Sequence, residues 1–114
     1  MSEAKLMRDI QLRLSALGAR VFRNNVGMLE DRGGQKVRYG LCVGSSDLIG
    51  LVPMTITPEM VGKKIAIFTA VEVKTPTGRL TKEQADFLDA VKTAGGIAFV
   101  ARSVEEAERF IKNS

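Results

Sequence analysis

The chain has 114 residues, of which 45% are hydrophobic and 26% charged, so it can form one domain with one core and is too short for two. Its apolar runs fall far short of the roughly 20 residues of a membrane span, and we identify no signal peptide, so we expect a soluble cytoplasmic protein. Cys42 is the single cysteine and histidine is absent, which excludes an internal disulfide, a thiolate metal cluster and imidazole catalysis, and leaves carboxylates, lysine or a hard metal ion.

The formal net charge of +4 is concentrated in one stretch of the chain. Residues 20–40 carry five basic and two acidic side chains, whereas the residues after 40 are neutral in sum. A basic segment that contains glycine suits contact with a phosphate backbone, because charge attraction and counterion release drive that binding. The alternative interpretation is a solvated loop with incidental arginines.

The first half of the chain predicts a helix followed by short strands. Ser2 is a suitable N-cap, an apolar stripe follows it at helical spacing, and Gly18 is placed to end the helix. The next segments are predicted as a strand at 20–23, a long glycine-rich loop at 24–44 with an irregular strand at 36–43, and a strand at 47–52.

The second half is organised around an apolar segment at 65–73. Only Thr69 and Glu72 interrupt this segment, which predicts a central strand covered on both faces. The Thr75-Pro76-Thr77-Gly78 sequence then predicts a turn, because proline fixes φ and glycine admits a positive φ. The other predicted elements are one helical turn from Pro58 to Gly62, a strand at 97–101, and two helices that begin with capping boxes at Thr81 with Gln84 and at Ser103 with Glu106.

These elements predict an α/β fold in which helices flank a mixed β-sheet, in the order α-β-β-β-α-β-α.

Side chains alternate faces along a strand, so Glu72 and Lys74 share one face, about 7 Å apart. If the strands at 47–52 and 65–73 pair antiparallel, Asp47 faces Glu72. Charges at the end of a buried strand are costly unless they pair, bind a metal or take part in chemistry. The alternative is a same-face ion pair, with Asp47 capping a turn that begins at Ser45.

Asp47, the Glu72-Val73-Lys74 triplet and the run from Thr75 to Gln84 before a helix resemble the VRR-NUC family, the virus-type replication and repair nucleases. That family belongs to the PD-(D/E)XK superfamily, and the resemblance extends over almost the whole chain. Ser46 departs from it, because the superfamily name has proline at this position. The resemblance implies a restriction-endonuclease-like core formed by a single domain, residues 1–114, in the cytoplasm of a bacterial or phage-infected cell.

Phosphodiester hydrolysis needs an activated water and relief of the charge that builds on the phosphoryl oxygens. Two converging carboxylates can hold Mg²⁺ or Mn²⁺, and we expect Asp47 and Glu72 to be these ligands. The superfamily resemblance implies that the carbonyl of Val73 is a further ligand. Lys74 is expected to position or deprotonate the attacking water or to stabilise transition-state charge.

Two further residues have both a catalytic and a structural interpretation. Gln84 either orients Lys74 or contacts the scissile phosphate, or it only completes the capping box with Thr81. Glu3 corresponds, by the resemblance, to the first-helix acid of the family, although an acid there also favours a helix N-terminus.

The sequence therefore predicts a metal-dependent endodeoxyribonuclease. The resemblance implies that stand-alone members act as dimers on branched DNA such as four-way junctions, and we expect a homodimer with residues 28–29 and 41–43 at the interface. The alternatives are a nicking or flap-processing nuclease in a replication or repair complex, and a DNA-binding module that has lost catalysis. The candidate DNA contacts, which are otherwise solvated loop residues, are Arg23, Asn25, Lys36, Arg38 and Tyr39.

Overall fold

A computed structural model describes residues 2–113 and has a mixed α/β fold, which confirms the predicted class. Its elements in chain order are α1 (Glu3–Ala16), β1 (Arg20–Arg23), β2 (Gly27–Glu30), β3 (Lys36–Tyr39), β4 (Leu48–Leu51), a 3₁₀ turn (Pro58–Met60), β5 (Thr69–Val73), α2 (Lys82–Thr93), β6 (Ile97–Ala101) and α3 (Val104–Lys112). Within the described range, none of the helices has the length and apolar character needed to cross a membrane.

The chain divides into two compact units, one ending at Val52 and the other beginning at Pro53. The expected single domain of residues 1–114 stays a prediction. The strands β4 and β5 lie in different units, so their expected antiparallel pairing also stays a prediction.

The first unit begins with α1, whose limits follow from the capping residues. The Ser2 hydroxyl accepts a hydrogen bond from the Lys5 amide at 3.1 Å, and Gly18 takes a φ of 95° just after the helix. A side chain is strained at that φ, so glycine is the suitable residue to end the helix. Both limits agree with the sequence prediction.

In the first unit, β1 and β4 form an antiparallel pair in which Val21 lies opposite Gly50. A Cβ on Gly50 would lie 2.6 Å from the Cα of Val21, so this close approach of the two backbones requires glycine. The amide of Asn24 donates to the carbonyl of Asp47 at 2.8 Å, which continues the ladder one step beyond the strands. Asp47 is therefore fixed through its backbone at the start of β4.

A hairpin of β2 and β3 occupies much of the segment that was predicted as a loop, so that prediction was wrong. Its turn is stabilised by Asp31, whose Oδ1 accepts hydrogen bonds from the amides of Gly33 and Gln35 at 2.9 and 2.8 Å. The predicted irregular strand at 36–43 ends early, at Tyr39, because Gly40 has a φ of 86° and leaves the extended conformation.

The second unit is built on the parallel pair of β5 and β6, with Glu72 opposite Val100. One face of this pair packs on α2, and its core contains Leu88, Val91 and Ala98 together with the partly buried Phe68, Ala70, Leu80 and Val100. On the other face, the ring of Phe99 stacks on Phe110 of α3 with centroids 4.6 Å apart. Because side chains alternate, Glu72 and Lys74 lie on the α2 face.

The central strand differs from its prediction in length and cover. It begins at Thr69 rather than at residue 65, because the ladder with β6 starts where the Ile97 amide donates to the Phe68 carbonyl. The expected cover on both faces was wrong, since Val73 on the face opposite α2 is 75% exposed.

Two details of the turns and caps also differ from the sequence analysis. The Thr75 carbonyl accepts from the Gly78 amide at 3.1 Å and closes the expected turn, but Gly78 has no positive φ. The second capping box is incomplete, because the Glu106 carboxylate accepts from the Arg102 amide and not from the amide of Ser103. The helix starts are nevertheless those predicted.

We expect Val91→Ala to lower the free energy of unfolding by roughly 1–3 kcal/mol, because Val91 is only 1% exposed and its truncation leaves a cavity between α2 and the sheet. Chemical denaturation measures this change. The matched control is Val61→Ala, which removes the same atoms from a largely exposed position of the same unit and should change stability by less than about 0.5 kcal/mol. Equal effects of the two variants would contradict the assigned core.

Candidate functional site

Glu72 and Lys74 lie together on the α2 face at the C-terminal end of β5. Their side chains are 29% and 19% exposed, and the Lys74 Nζ lies 3.9 Å from the Glu72 Oε2. This separation exceeds that of a hydrogen bond, and neither side chain hydrogen-bonds another group among residues 2–113. The pair is thus a loose contact between two half-buried charges, both of which retain capacity to bind a ligand.

The carbonyl of Val73 points to the edge of β5 that faces away from β6. The Phe68 carbonyl accepts from Ile97, and the Lys74 amide donates to the Ala101 carbonyl, at 2.9 and 3.1 Å. Alternate residues of a parallel strand bond to the same neighbour, so the N–H and C=O of the residues between them, including Val73, point to the opposite edge. A carbonyl oxygen is therefore available beside the two charged side chains.

The turn after Lys74 is held by Arg102, a residue that the sequence analysis did not identify. Its Nη1 donates to the carbonyls of Thr75 and Gly78 at 2.6 and 2.7 Å, and lies 3.4 Å from that of Pro76. Arg102 directly follows β6, so the β5–β6 register places it opposite Lys74. One guanidinium thus fixes the connection from β5 to α2.

Gln84 completes the predicted capping box of α2. Its side-chain Oε1 accepts from the backbone amide of Thr81 at 3.0 Å, and the backbone amide of Gln84 donates to the Thr81 hydroxyl at 3.1 Å. The side-chain NH₂ makes no hydrogen bond within the described range. Capping therefore uses the side-chain oxygen of Gln84 and leaves the two N–H donors of its NH₂ group free within the described range. The expected contact of Gln84 with Lys74 or a phosphate stays a prediction.

Asp47 belongs to the first unit, whereas Glu72 belongs to the second. Asp47 is exposed, and its carboxylate makes no hydrogen bond or ion pair with any other residue of the described range. Among residues 2–113, Asp47 therefore makes no side-chain hydrogen bond that would cap a turn beginning at Ser45. The preceding turn ends at Ser45, whose hydroxyl donates to the Cys42 carbonyl at 2.6 Å. Glu3 is exposed at the first position of α1, also without a side-chain partner there.

Asn24 is a second residue that the sequence analysis missed. Its side chain donates to the Ser45 hydroxyl at 2.7 Å and the Ser46 carbonyl at 3.0 Å, and accepts from the Leu41 amide at 2.8 Å. These bonds join the end of β1 to the loop before β4. Residues distant in sequence form them, so no local pattern indicated them.

The hairpin separates the candidate DNA contacts onto two faces. Lys36 and Arg38 alternate with Val37 and Tyr39, so the two basic side chains lie on one face and Tyr39 lies on the other, over Gly27. Arg23 and Asn25, outside the hairpin, are exposed.

The described residues contain no group of three or more His, Cys, Asp or Glu side chains that could by itself hold a metal ion. An open depression of about 540 Å³ in the first unit lies between α1 and β1 and includes none of the candidate site residues. The assignment of Asp47, Glu72 and the Val73 carbonyl as metal ligands stays a prediction.

A family model described as the VRR-NUC domain matches residues 12–105 of the chain. The matched range contains Asp47, Glu72, Lys74 and Gln84, but not Glu3. No curated protein and no solved structure matches the chain.

We expect Arg102→Ala to accelerate hydrogen exchange of the Gly78 amide about 10-fold, because a charge-assisted clamp on the turn, of roughly 1.5 kcal/mol, is lost. Amide exchange followed by NMR measures the change. Arg109→Ala, which removes an exposed α3 guanidinium without a side-chain hydrogen bond in the described range, should leave that rate unchanged. An unchanged rate in Arg102→Ala would show that the guanidinium does not hold the turn.

Proposed function

The chain belongs to the VRR-NUC family, which makes it a nuclease of the PD-(D/E)XK type with a restriction-endonuclease-like fold, and we propose that it is a metal-dependent endonuclease that cuts branched DNA. The observation that carries the proposal is the half-buried pair of Glu72 and Lys74 at the end of β5, 3.9 Å apart and without other side-chain partners in the described range. A contact this long offsets only part of the cost of burying the two charges, and a ligand would compensate the rest.

The donor atoms fit a hard divalent cation, which nuclease domains of this type generally use. The Glu72 carboxylate is partly exposed, the Val73 carbonyl turns away from β6, and the Asp47 carboxylate has no partner among the described residues. Oxygen donors of this kind suit Mg²⁺ or Mn²⁺, which retain waters and need few protein ligands. The proposal requires that Asp47 and Glu72 share one ion. When bound, such an ion would polarise the phosphate and lower the pKa of a coordinated water.

Lys74 supplies the positive charge of the site. Its Nζ lies 3.9 Å from the Glu72 Oε2, and would therefore be near a water or phosphate oxygen if that carboxylate held an ion. It then positions or deprotonates the water, or stabilises the charge of the transition state. The free NH₂ of Gln84 can donate to a phosphate oxygen, and Glu3 is a further candidate acid in α1.

DNA is the substrate of a nuclease domain, and we propose that the basic face of the hairpin, Lys36 and Arg38, contacts its backbone together with Arg23 and Asn25. Tyr39 lies on the other face, so in this arrangement it does not share their phosphate contacts. The protein would act in the cytoplasm, in DNA repair or replication of a phage or bacterium. A nicking or flap-processing nuclease is the alternative within the same chemistry.

We propose a homodimer, because one small site cuts one strand and a two-fold pair cuts a four-way junction symmetrically. Exposed apolar side chains in the segments 28–29 and 41–43 support this interface, namely Leu29, Leu41 and Val43. Met28 is also exposed, but it lies opposite Arg38 on the hairpin face that is proposed to contact DNA.

Cleavage of labelled four-way junction, flap and linear duplex with Mg²⁺ or Mn²⁺ tests the function. We expect symmetric cuts in the junction and a loss of about 100-fold or more in rate for Lys74→Ala, because charge stabilisation or water activation is removed. Lys82→Ala, an exposed lysine of α2 paired only with Asp86 among the described residues, is the matched control and should cut normally. Preferred cutting of the flap would favour the alternative nuclease, and DNA binding without cutting would indicate a DNA-binding module.

Sedimentation velocity at micromolar concentration tests the dimer. We expect the wild type to sediment as a dimer and Leu29→Arg to sediment as a monomer, since a charge would be buried in the apolar interface. Leu12→Arg is the matched control, because Leu12 in α1 is 65% exposed and Leu29 is 64% exposed. A monomeric wild type, or equal dissociation of both variants, would contradict the interface.

A further inference from the structure

Asn24 makes four hydrogen bonds that connect the end of β1 to both ends of the loop before β4. Its backbone amide donates to the Asp47 carbonyl, its Oδ1 accepts from the Leu41 amide, and its Nδ2 donates to the Ser45 hydroxyl and the Ser46 carbonyl. All four bonds measure between 2.7 and 3.0 Å. A half-buried amide with its acceptor and both donors used is a rigid centre for the surrounding backbone.

The loop that Asn24 holds contains two backbone positions of high freedom. Gly40 and Gly44 have φ values of 86° and 85°, and glycine loses more conformational entropy on ordering than other residues. Such a loop stays ordered only if specific contacts offset that loss. The side chain of Asn24 bonds this loop at Leu41, just after Gly40, and at Ser45 and Ser46, just after Gly44.

The carboxylate of Asp47 has no contact of its own that would fix it. It is exposed and makes no hydrogen bond or ion pair within residues 2–113, so its position is set by its backbone. That backbone is bonded to Asn24 through the Asp47 carbonyl and, one residue earlier, through the Ser46 carbonyl. Asn24 therefore holds the backbone that carries the Asp47 carboxylate.

We propose that Asn24 is the positioning residue for Asp47, and that it holds this carboxylate in place for a divalent cation. The proposal rests on the proposed function, because Asp47 is assigned there as a metal ligand. Groups that orient metal ligands through hydrogen bonds typically contribute 10- to 100-fold to metal affinity. Asparagine suits this role because the network needs an acceptor on one branch of the side chain and two donors on the other.

The test is Mn²⁺ binding to the full chain, measured by isothermal titration and by the electron paramagnetic resonance signal of free Mn²⁺. We expect Asn24→Ala to weaken Mn²⁺ binding about 10-fold or more, and to have no further effect when Asp47 is already alanine. Asn24→Asp should weaken binding also, because a carboxylate keeps the acceptor for Leu41 and loses the donors for Ser45 and Ser46. Gln35→Ala is the matched control, since this exposed amide makes no side-chain hydrogen bond in the described range.

A thermal melt of each metal-free variant accompanies the titrations, because a merely structural role would lower the melting temperature without changing Mn²⁺ affinity in the folded protein. Unchanged affinity in Asn24→Ala overturns the proposal. The proposal is also overturned if the losses of affinity from Asn24→Ala and Asp47→Ala add in full in the double variant, or if Asp47→Ala does not weaken Mn²⁺ binding. If Asp47→Ala and Asn24→Ala both weaken Mn²⁺ binding but the wild type cuts no DNA, the positioning role stands and the proposed nuclease activity fails.

Discussion

The parallel ladder between β5 and β6 is the constraint on which the second unit depends. Covering one face of a two-stranded sheet with α2 buries alternate residues, so Ala70 and Ala98 contact the core around Val91. The same alternation brings Glu72 and Lys74 onto that face, where the core ends. Their half-buried state is therefore a consequence of strand geometry, and no special backbone conformation is needed to produce it.

Charge in this position has a cost that the structure does not offset internally. At 3.9 Å, the attraction between Glu72 and Lys74 is weaker than that of a hydrogen-bonded ion pair, and both groups are partly removed from water. The ion pairs on the helix surfaces are shorter, for example 2.8 Å between Lys82 and Asp86, although they are more exposed and contribute little. The proposed nuclease site would need charges that remain available for metal, water and phosphate, and the loose pair on β5 leaves both charges available.

The sequence predicted those features that short-range chemistry determines. Caps at Ser2, Thr81 and Ser103 located the three helices, and period-2 alternation placed Glu72 and Lys74 together. Features that depend on contacts between distant residues were not predictable. The start of β5 is set by the position at which β6 pairs with it. The glycine-rich segment gave no local sign of β2, because this strand forms only by pairing with β3.

The same limit explains why Asn24 and Arg102 were missed, although each contacts the backbone that carries site residues. Both bind mainly to peptide groups, and neither bonds the side chains of Asp47, Glu72 or Lys74. Bonds to those side chains would occupy the atoms that are proposed to contact a metal or phosphate. Fixing the backbone instead restricts the reactive groups and keeps their donors and acceptors free, as a preorganised site requires. Asn24 in the first unit and Arg102 in the second each meet the same requirement of the proposed site, which is an ordered peptide chain whose candidate side chains keep free donors and acceptors.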